Sequence, residues 1–203
     1  MLSSLSLVLF DVGNVLIQLR PWESVLPLHA LPPGVDSSMV LQSFSDSEFV
    51  NRFERGQEPA EAIYRRMRRL FTNELTDEEI RTAYLGQLGD PMPGMEEVVG
   101  EIKSRGTRVA GFSNTTPIHD EELLTYPAVA LLEQLVTSCG IGLSKPDVVA
   151  YEKTLRILNA EANSTLFIDD RADNVEGARK AGMHALRFEG VDALRVALGL
   201  TTG

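Results

Sequence analysis

Residues 5–10 have the sequence LSLVLF, a short and almost continuous apolar run that ends at Asp11. A strand of a parallel sheet is covered on both faces, so its sequence is apolar throughout instead of alternating. The acidic residue after the run marks the point where such a strand would leave the core. We therefore predict that residues 5–10 form a buried parallel strand and that Asp11 lies at its carboxyl end.

Four similar runs recur along the chain, at residues 108–112, 135–138, 165–168 and 185–188. Helical patterns separate most of them: residues 96–105 close on Gly106, a second helix is expected to begin at Pro146, and a third opens with an Asp173–Glu176 capping box. Strands that alternate with helices predict an α/β fold with a doubly wound parallel sheet.

Residues 17–90 interrupt this alternation and contain no convincing strand pattern. Helices are predicted at residues 46–55, 59–71 and 76–88, and the last opens with a capping box at Thr76 and Glu79. We therefore expect an α/β core domain formed by residues 1–16 and 91–203 and a helical cap domain at residues 17–90. The alternative is that these helices simply cover one face of the sheet.

The composition of the 203 residues is that of an ordinary globular protein, with 43% hydrophobic and 24% charged residues. The net charge of −10 argues against nucleic acid as a partner, and one cysteine excludes both an internal disulfide framework and a cysteine-based zinc cluster. No apolar run approaches the roughly 18 residues of a membrane span, and the N-terminal run lacks the basic start of a signal peptide. These features predict a cytoplasmic protein.

Polar side chains follow the predicted strands, where ligands bind in open α/β sheets. They comprise carboxylates, a hydroxyl, an amide and an ammonium, contributed by Asp11, Ser113, Asn114, Lys145, Asp169 and Asp170. Each alone has a structural explanation as a helix cap, a turn residue or a solvated side chain. Together they suggest a cation site, because clustered carboxylates repel unless a cation or proton lies among them. Oxygen ligands with substrate phosphate favour Mg²⁺.

Four segments carry a family resemblance: VLFDVGNVLI at residues 8–17, VAGFSNTT at 109–116, GLSKPD at 142–147 and FIDDRADNVEGA at 167–178. In this order they resemble the four motifs of the haloacid dehalogenase-like (HAD) hydrolase superfamily. The FDxGNV and SNT patterns are similar to a branch that includes sugar-phosphate phosphatases, such as glucose-1-phosphatase. The resemblance implies a Rossmann-like sheet of strand order 5-4-1-2-3, with an all-helical cap inserted after strand 1.

The resemblance also implies a role for each residue that matches a motif. Asp11 would be the nucleophile, and Asp11, the backbone carbonyl of Gly13 and Asp170 would hold Mg²⁺, with Asp169 acting through water. Ser113 would bind a phosphoryl oxygen, with Asn114 assisting, and Lys145 would offset charge between the nucleophile and the phosphate. The implied activity is Mg²⁺-dependent hydrolysis of a small phosphate monoester, for example a sugar phosphate, through an aspartyl phosphate.

One position departs from the usual phosphatase motif, which has a second aspartate two residues after the nucleophile as general acid and base. That position is Gly13 here. A candidate substitute is His119, which follows the second motif; it is also consistent with an ordinary histidine at a helix start. In the predicted cap, Arg52 and Arg55 are candidate substrate contacts.

Three other features have both a structural and a functional interpretation. The arginine-rich run at residues 64–69 is interpreted as a solvated cap face, with phosphate steering as the alternative. Trp22 is expected either to line the cavity or to be packed in the core. Cys139 is interpreted as a small buried hydrophobe.

Two other functions stay open at this point. A 2-haloacid dehalogenase would use the same aspartate without a metal, but Gly13 and the Asp169–Asp170 pair argue against it. A catalytically weak phosphate-binding relative would also fit Gly13. A receiver domain is excluded because its acid pair comes first in the chain. The expected partner is a small-molecule phosphate ester, and the expected state is a monomer or homodimer.

Overall fold

The computed structural model describes residues 5–45, 47–71 and 75–200. Its strands, in chain order, are β1 Leu7–Phe10, β2 Ile17–Leu19, β3 Leu88–Pro91, β4 Arg108–Ser113, β5 Leu135–Thr137, β6 Thr165–Asp169 and β7 His184–Arg187. Five of them form one parallel sheet in the order β5-β4-β1-β6-β7. If only these five strands are numbered along the chain and the sheet is read from the β7 edge, the order is 5-4-1-2-3. The predicted fold class is therefore confirmed.

The α-helices are α1 Trp22–Val25, α2 Ser37–Ser45, α3 Glu48–Glu54, α4 Glu61–Leu70, α5 Asp77–Leu85, α6 Met95–Ser104, α7 Pro117–Leu123, α8 Pro127–Ala130, α9 Ser138–Ile141, α10 Val148–Ile157, α11 Ala172–Lys180 and α12 Val191–Leu198. Two short 3-10 turns lie at Leu28–Ala30 and Ala162–Ser164. The first five helices fall between β2 and β3, and the others accompany the sheet.

Strand β1 lies at the centre of the sheet, hydrogen bonded to β4 on one side and β6 on the other. Its alternate side chains enter two separate hydrophobic clusters. Val8 and Phe10 pack with α6 and α12, whereas Leu7 and Leu9 pack with α10 and α11. All four residues of β1 are buried, which explains why its sequence is apolar without alternation.

The helices between β2 and β3 surround a third hydrophobic cluster, which includes Phe53, Met67 and Tyr84. The predicted capping box is confirmed: Thr76 and Glu79 bond reciprocally to each other's backbone N–H at the start of α5. Helix α3 begins two residues later than predicted, because Ser47 caps it by accepting from the Val50 N–H. The predicted start at Asp46 lies outside the described residues.

The expectation that residues 17–90 contain no strand is wrong. Strands β2 and β3 pair antiparallel, with Leu19 opposite Leu88 and Ile17 opposite Pro91. Both strands are too short to show a clear alternation of apolar and polar residues. In addition, Gly89 and Pro91 in β3 are residue types that are typical of turns. The chain therefore leaves and re-enters the sheet layer through a paired ribbon.

Two predicted helix starts are also corrected. Helix α10 begins at Val148 instead of Pro146, because Pro146 lies in the preceding turn. Asp173 is inside α11, where its carboxylate pairs with Arg171 at 2.8 Å, so it does not form a capping box with Glu176. Within the described ranges, no helix combines the length and the apolar sequence that crossing a membrane requires.

Candidate active site

A cavity of about 770 Å³ opens at the carboxyl ends of β1, β4 and β6. Core loops form one side, and residues from the helices between β2 and β3 form the other. Among its lining residues are the predicted Asp11, Gly13, Ser113, Asn114, His119, Lys145 and Asp170. The structure thus brings together most of the residues that the motifs single out.

Asp11 follows the last residue of β1 and is 7% exposed. Its backbone N–H extends the sheet by donating to the Ile168 carbonyl at 2.8 Å. Its Oδ1 atom accepts from the Val12 N–H at 2.6 Å and lies 2.7 Å from the Lys145 ammonium. Burial raises the pKa of Asp11, and Lys145 opposes that increase. The carboxylate is therefore held in one orientation and partly desolvated.

Lys145 is the cation of the cluster and is almost completely buried. Its ammonium contacts Asp11 and also Asp169, at 2.8 Å from Oδ2. Burial works against the charged ammonium, but the two carboxylates outweigh this effect and raise the pKa of Lys145. The side chain therefore remains a cation inside the protein.

Asp169 is fully buried at the end of β6, and its carboxylate is heavily hydrogen bonded. Besides Lys145, it accepts from the Arg171 N–H at 2.9 Å and from the Asn174 side-chain amide at 3.0 Å. These bonds hold the carboxylate that in turn holds Lys145. In this structure Asp169 positions the ammonium; its predicted water-mediated contact to a metal stays a prediction.

Asp170 completes a group of three carboxylates. Asp11, Asp169 and Asp170 each offer an oxygen, and these three oxygens lie within 4.8 Å of one another. Burial raises the pKa of Asp170, and repulsion from Asp169 adds to the effect. The Asn14 side chain donates to Asp170 at 3.3 Å and steadies it. An all-oxygen set of this kind suits a hard divalent cation.

Gly13 and Asn14 form the turn between β1 and β2. Asn14 adopts the left-handed conformation at φ 56°, and its side-chain oxygen accepts from the Leu19 N–H at 3.1 Å. A Cβ added at Gly13 would lie 2.8 Å from a methyl carbon of Leu19. A longer side chain at position 13 would therefore have to displace Leu19, whose methyl group lies beside the glycine.

Ser113 and Asn114 end β4 on the same side of the cavity. Ser113 is buried, and the Asn114 amide exchanges two hydrogen bonds with the Lys145 backbone, at 3.0 and 2.9 Å. Asn114 thus ties the loop after β4 to the loop that carries Lys145. These two bonds hold the loop that follows Ser113 against Lys145, and Ser113 and Lys145 are both predicted to be catalytic.

The two arginines predicted to contact substrate lie in different settings. Arg52 pairs with Glu58 and lines a separate depression of about 310 Å³, so the structure does not bring it to the carboxylates. Arg55 reaches the core, with its Nε donating to Ser144 at 2.9 Å and its charge paired with Asp147. Arg55 therefore joins the cap helices to the core beside Lys145.

His119 lines the cavity but is held by the protein itself. Its ring stacks on Tyr84 at 4.7 Å, and its Nε2 atom lies 2.9 Å from the Tyr84 carbonyl oxygen. Burial lowers the pKa of His119 to about 4. The ring is neutral near pH 7 and packs α7 against α5.

The remaining sequence features are distributed around the site. Trp22 is partly buried, contacts Phe44 and Tyr84, and lines the cavity. In the arginine-rich run, Arg68 pairs with Asp77, and Arg66 lies 4.6 Å from the centre of the Phe49 ring. Cys139 is a half-buried free thiol.

Sequence reasoning missed three residues of the site: Glu54, Ser138 and Asn174. Asn174 lies within the fourth motif segment, residues 167–178, so that segment could have identified it as a candidate site residue. Glu54 is one of two acids in a short helix, and Ser138 follows a short strand; neither pattern distinguishes them from surface residues. Their positions depend on how the cap helices dock.

The chain is similar in sequence and in fold to known proteins. A family model described as a haloacid dehalogenase-like hydrolase matches residues 5–182. The chain is 34% identical over 111 residues to Phosphatase MT3486 of Mycobacterium tuberculosis, a match covering 54% of this chain and 51% of that protein. It thus spans about half the length of that relative. It is 26% identical to the sesquiterpene phosphatase astK of Aspergillus oryzae, covering 93% of this chain and 92% of the relative.

A solved structure extends the comparison to the fold. The HAD family enzyme bt-2542 of Bacteroides thetaiotaomicron, in complex with magnesium and inorganic phosphate, superposes with a TM-score of 0.78 and 18% identity. The match covers 92% of this chain and 95% of that one. At this level of identity the likeness concerns the fold.

Proposed function

The chain belongs to the haloacid dehalogenase-like hydrolase family, and we propose that it is a Mg²⁺-dependent phosphatase that hydrolyses a small phosphate monoester by phosphorylating Asp11. The observation that carries the proposal is the buried pairing of Asp11 with Lys145, next to the carboxylate of Asp170. Relatives named as phosphatases support it.

The residues present fit a magnesium ion. Asp11 and Asp170 offer carboxylate oxygens, and both have a raised pKa that a nearby cation would lower. The backbone carbonyl of Gly13 lies in the same loop and would be the third protein ligand. When bound, Mg²⁺ supplies positive charge that offsets the charge of the phosphate and of the carboxylates.

Asp11 would act by attacking the phosphorus atom, which divides the hydrolysis into two steps. Its orientation is set by Val12 and Lys145 before any substrate enters. Ser113 would donate to a phosphoryl oxygen, and Lys145 would stabilise negative charge there. Fixed donors and charges of this kind supply most of the rate in phosphoryl transfer.

The proposed substrate is a small-molecule ester, with sugar phosphates as the class to test first. The site lies inside a cavity, which excludes a polymer from the nucleophile more readily than a small molecule. The net charge of −10 also disfavours a nucleic-acid partner. We place the reaction in the cytoplasm, and the similarity to the FDxGNV branch stays a prediction.

The test is phosphate release from a panel of esters, including p-nitrophenyl phosphate and sugar phosphates, with and without Mg²⁺. Activity that requires the metal and is lost in Asp11→Asn is expected. The matched control is Asp173→Asn, because that aspartate is half-exposed and pairs with Arg171 outside the carboxylate group. Phosphate release by Asp11→Asn at the wild-type rate would exclude Asp11 as the nucleophile. Mg²⁺ and phosphate binding without turnover would identify a non-catalytic relative.

A further inference from the structure

The proposed reaction needs a proton donor that the first motif does not provide. When the phosphorus–oxygen bond breaks, an alcohol of low acidity leaves far more readily if it receives a proton. Position 13 is glycine, and a Leu19 methyl fills the space next to it. The donor must come from another part of the cavity.

Glu54 lies on the opposite side of the same cavity. It is the last residue of α3, is partly buried, and lines the cavity together with Asp11, Lys145 and Arg171. Glu54 therefore contributes a carboxyl group, from the helices between β2 and β3, to the lining of the cavity that contains Asp11.

The backbone around Glu54 is locked onto the core. The Ser138 hydroxyl donates to the Glu54 carbonyl at 2.6 Å, and Arg55 donates to Ser144 at 2.9 Å. Gly56 has a φ of 64°, and a Cβ added there would lie 2.4 Å from the Cys139 carbonyl oxygen. Such close contacts at successive residues fix where the Glu54 side chain begins.

The surroundings of Glu54 favour its acid form. Burial raises the pKa of Glu54, while the positive charges of Lys145, Arg171 and Arg55 oppose this effect without cancelling it. Tyr84, whose hydroxyl pKa is raised by burial and also by Glu54, lines the same cavity. Glu54 therefore keeps its proton to a higher pH than an exposed glutamate does.

His119 is a poorer donor for the same task. With a pKa of about 4, its ring carries a single proton near pH 7. Its Nε2 atom lies 2.9 Å from the Tyr84 carbonyl oxygen. Because a carbonyl oxygen can only accept a hydrogen bond, the single ring proton is on Nε2 and is donated to Tyr84. Releasing it would leave both groups of a buried hydrogen bond unsatisfied.

We propose that the Glu54 carboxyl group is the general acid and base of the reaction, an assignment that rests on the proposed phosphatase function. In the first step an Asp11 oxygen bonds to phosphorus, the ester oxygen leaves with the bonding electrons, and that oxygen takes the proton of Glu54. In the second step the Glu54 carboxylate takes a proton from water as the water oxygen attacks phosphorus. The bond to Asp11 breaks, inorganic phosphate leaves, and both carboxyl groups return to their starting forms.

The test compares Glu54→Gln with wild type on two kinds of ester. The ratio kcat/KM reports the step that expels the leaving group. For an alkyl phosphate, whose alcohol needs the proton, we expect kcat/KM to fall about 10²–10⁴-fold. For p-nitrophenyl phosphate, whose nitrophenol leaves with less help, the fall should be at least about tenfold smaller. Glu54→Asp, which keeps the acid, should recover part of the alkyl phosphate activity.

Glu48→Gln is the matched control, because it makes the same substitution in the exposed first turn of the same helix. It should keep the wild-type ratio between the two esters. An equal fall on both esters in Glu54→Gln, or no fall, would overturn the role of Glu54 while leaving the phosphatase intact. A wild-type enzyme that cleaves only the nitrophenyl ester would also overturn it. A wild-type protein that cleaves no ester would refute the phosphatase function itself.

Discussion

The Ser138 hydroxyl lies 2.6 Å from the Glu54 carbonyl oxygen and 2.9 Å from the Thr115 backbone nitrogen. One buried side chain from the start of α9 therefore donates to the end of α3 and accepts from the loop after β4. This hydroxyl fixes the distance between the loop that follows Ser113 and the residue that we assign as the acid.

Replacing Ser138 with alanine should uncouple these two segments. The Glu54 carbonyl and the Thr115 N–H would both lose their partner, at a cost of about 1–3 kcal/mol in the free energy of unfolding for each group left buried and unpaired. Urea denaturation measures the loss, and kcat/KM should fall as well. Ser104→Ala, at an exposed helix end, should change neither quantity, and a fully active Ser138→Ala would show that the hydroxyl does not position the site.

Replacing Lys145 with methionine should destabilise the protein strongly. Asp11 and Asp169 would remain buried without their shared cation, and breaking a buried pair in this way costs about 3–5 kcal/mol. The free energy of unfolding from urea denaturation near pH 7.5 checks this value. Lys153→Met, which removes a lysine from α10, is the comparison and should cost much less. Equal losses in the two variants would mean that the Lys145 pairing contributes little.

Magnesium should stabilise the folded protein through the carboxylate group. A ligand present at 100 times its dissociation constant adds about 2.7 kcal/mol to the free energy of unfolding. We expect the melting temperature to rise with MgCl₂ in wild type and in Asp173→Asn, and to respond little in Asp170→Asn. Thermal unfolding with and without the salt is the measurement. An unchanged response in Asp170→Asn would remove Asp170 from the set of ligands.

The buried His119 should make stability depend on pH. Its pKa is about 4 in the folded protein and about 6.5 when unfolded, so acid favours the unfolded chain. Its contribution is present above pH 6.5 and is lost as the pH falls toward 4. When the pH is lowered from 7.5 to 5, the free energy of unfolding of the wild type should fall by about 2 kcal/mol more than that of His119→Gln. Urea denaturation at pH 7.5 and at pH 5 measures both changes. Identical losses would show that the ring protonates as readily inside the protein as in water.

The core of the fold could be predicted because buried parallel strands have a distinctive sequence. Five apolar runs correspond to the five strands of the sheet, and residues at the ends of β1, β4 and β6 line one cavity. The β2–β3 ribbon was missed because strands of three and four residues contain too little alternation. The starts of α10 and α11 were misplaced because Pro146 and Asp173 suit either a helix start or its neighbouring turn.

The chemistry of single residues was harder to predict than their location. Asp169 and Asp11 both stand directly after a predicted apolar run, and only the fold reveals that Asn174 and Lys145 bind the oxygens of Asp169. Arg52 and Arg55 are three residues apart, yet one pairs within its own segment and the other reaches the core. Side-chain partners distant in the sequence decide these roles, and no local pattern records them.

The β2–β3 ribbon has a consequence for redesign. Since Leu19 lies opposite Leu88, the ends of the intervening segment stay neighbours whatever that segment contains. An engineer can graft a helical module of another length between these two positions without shifting the register of the five central strands. Such a module would have to supply a carboxyl group in place of Glu54, which lies in this segment, whereas Asp11, Lys145 and Asp170 lie outside it.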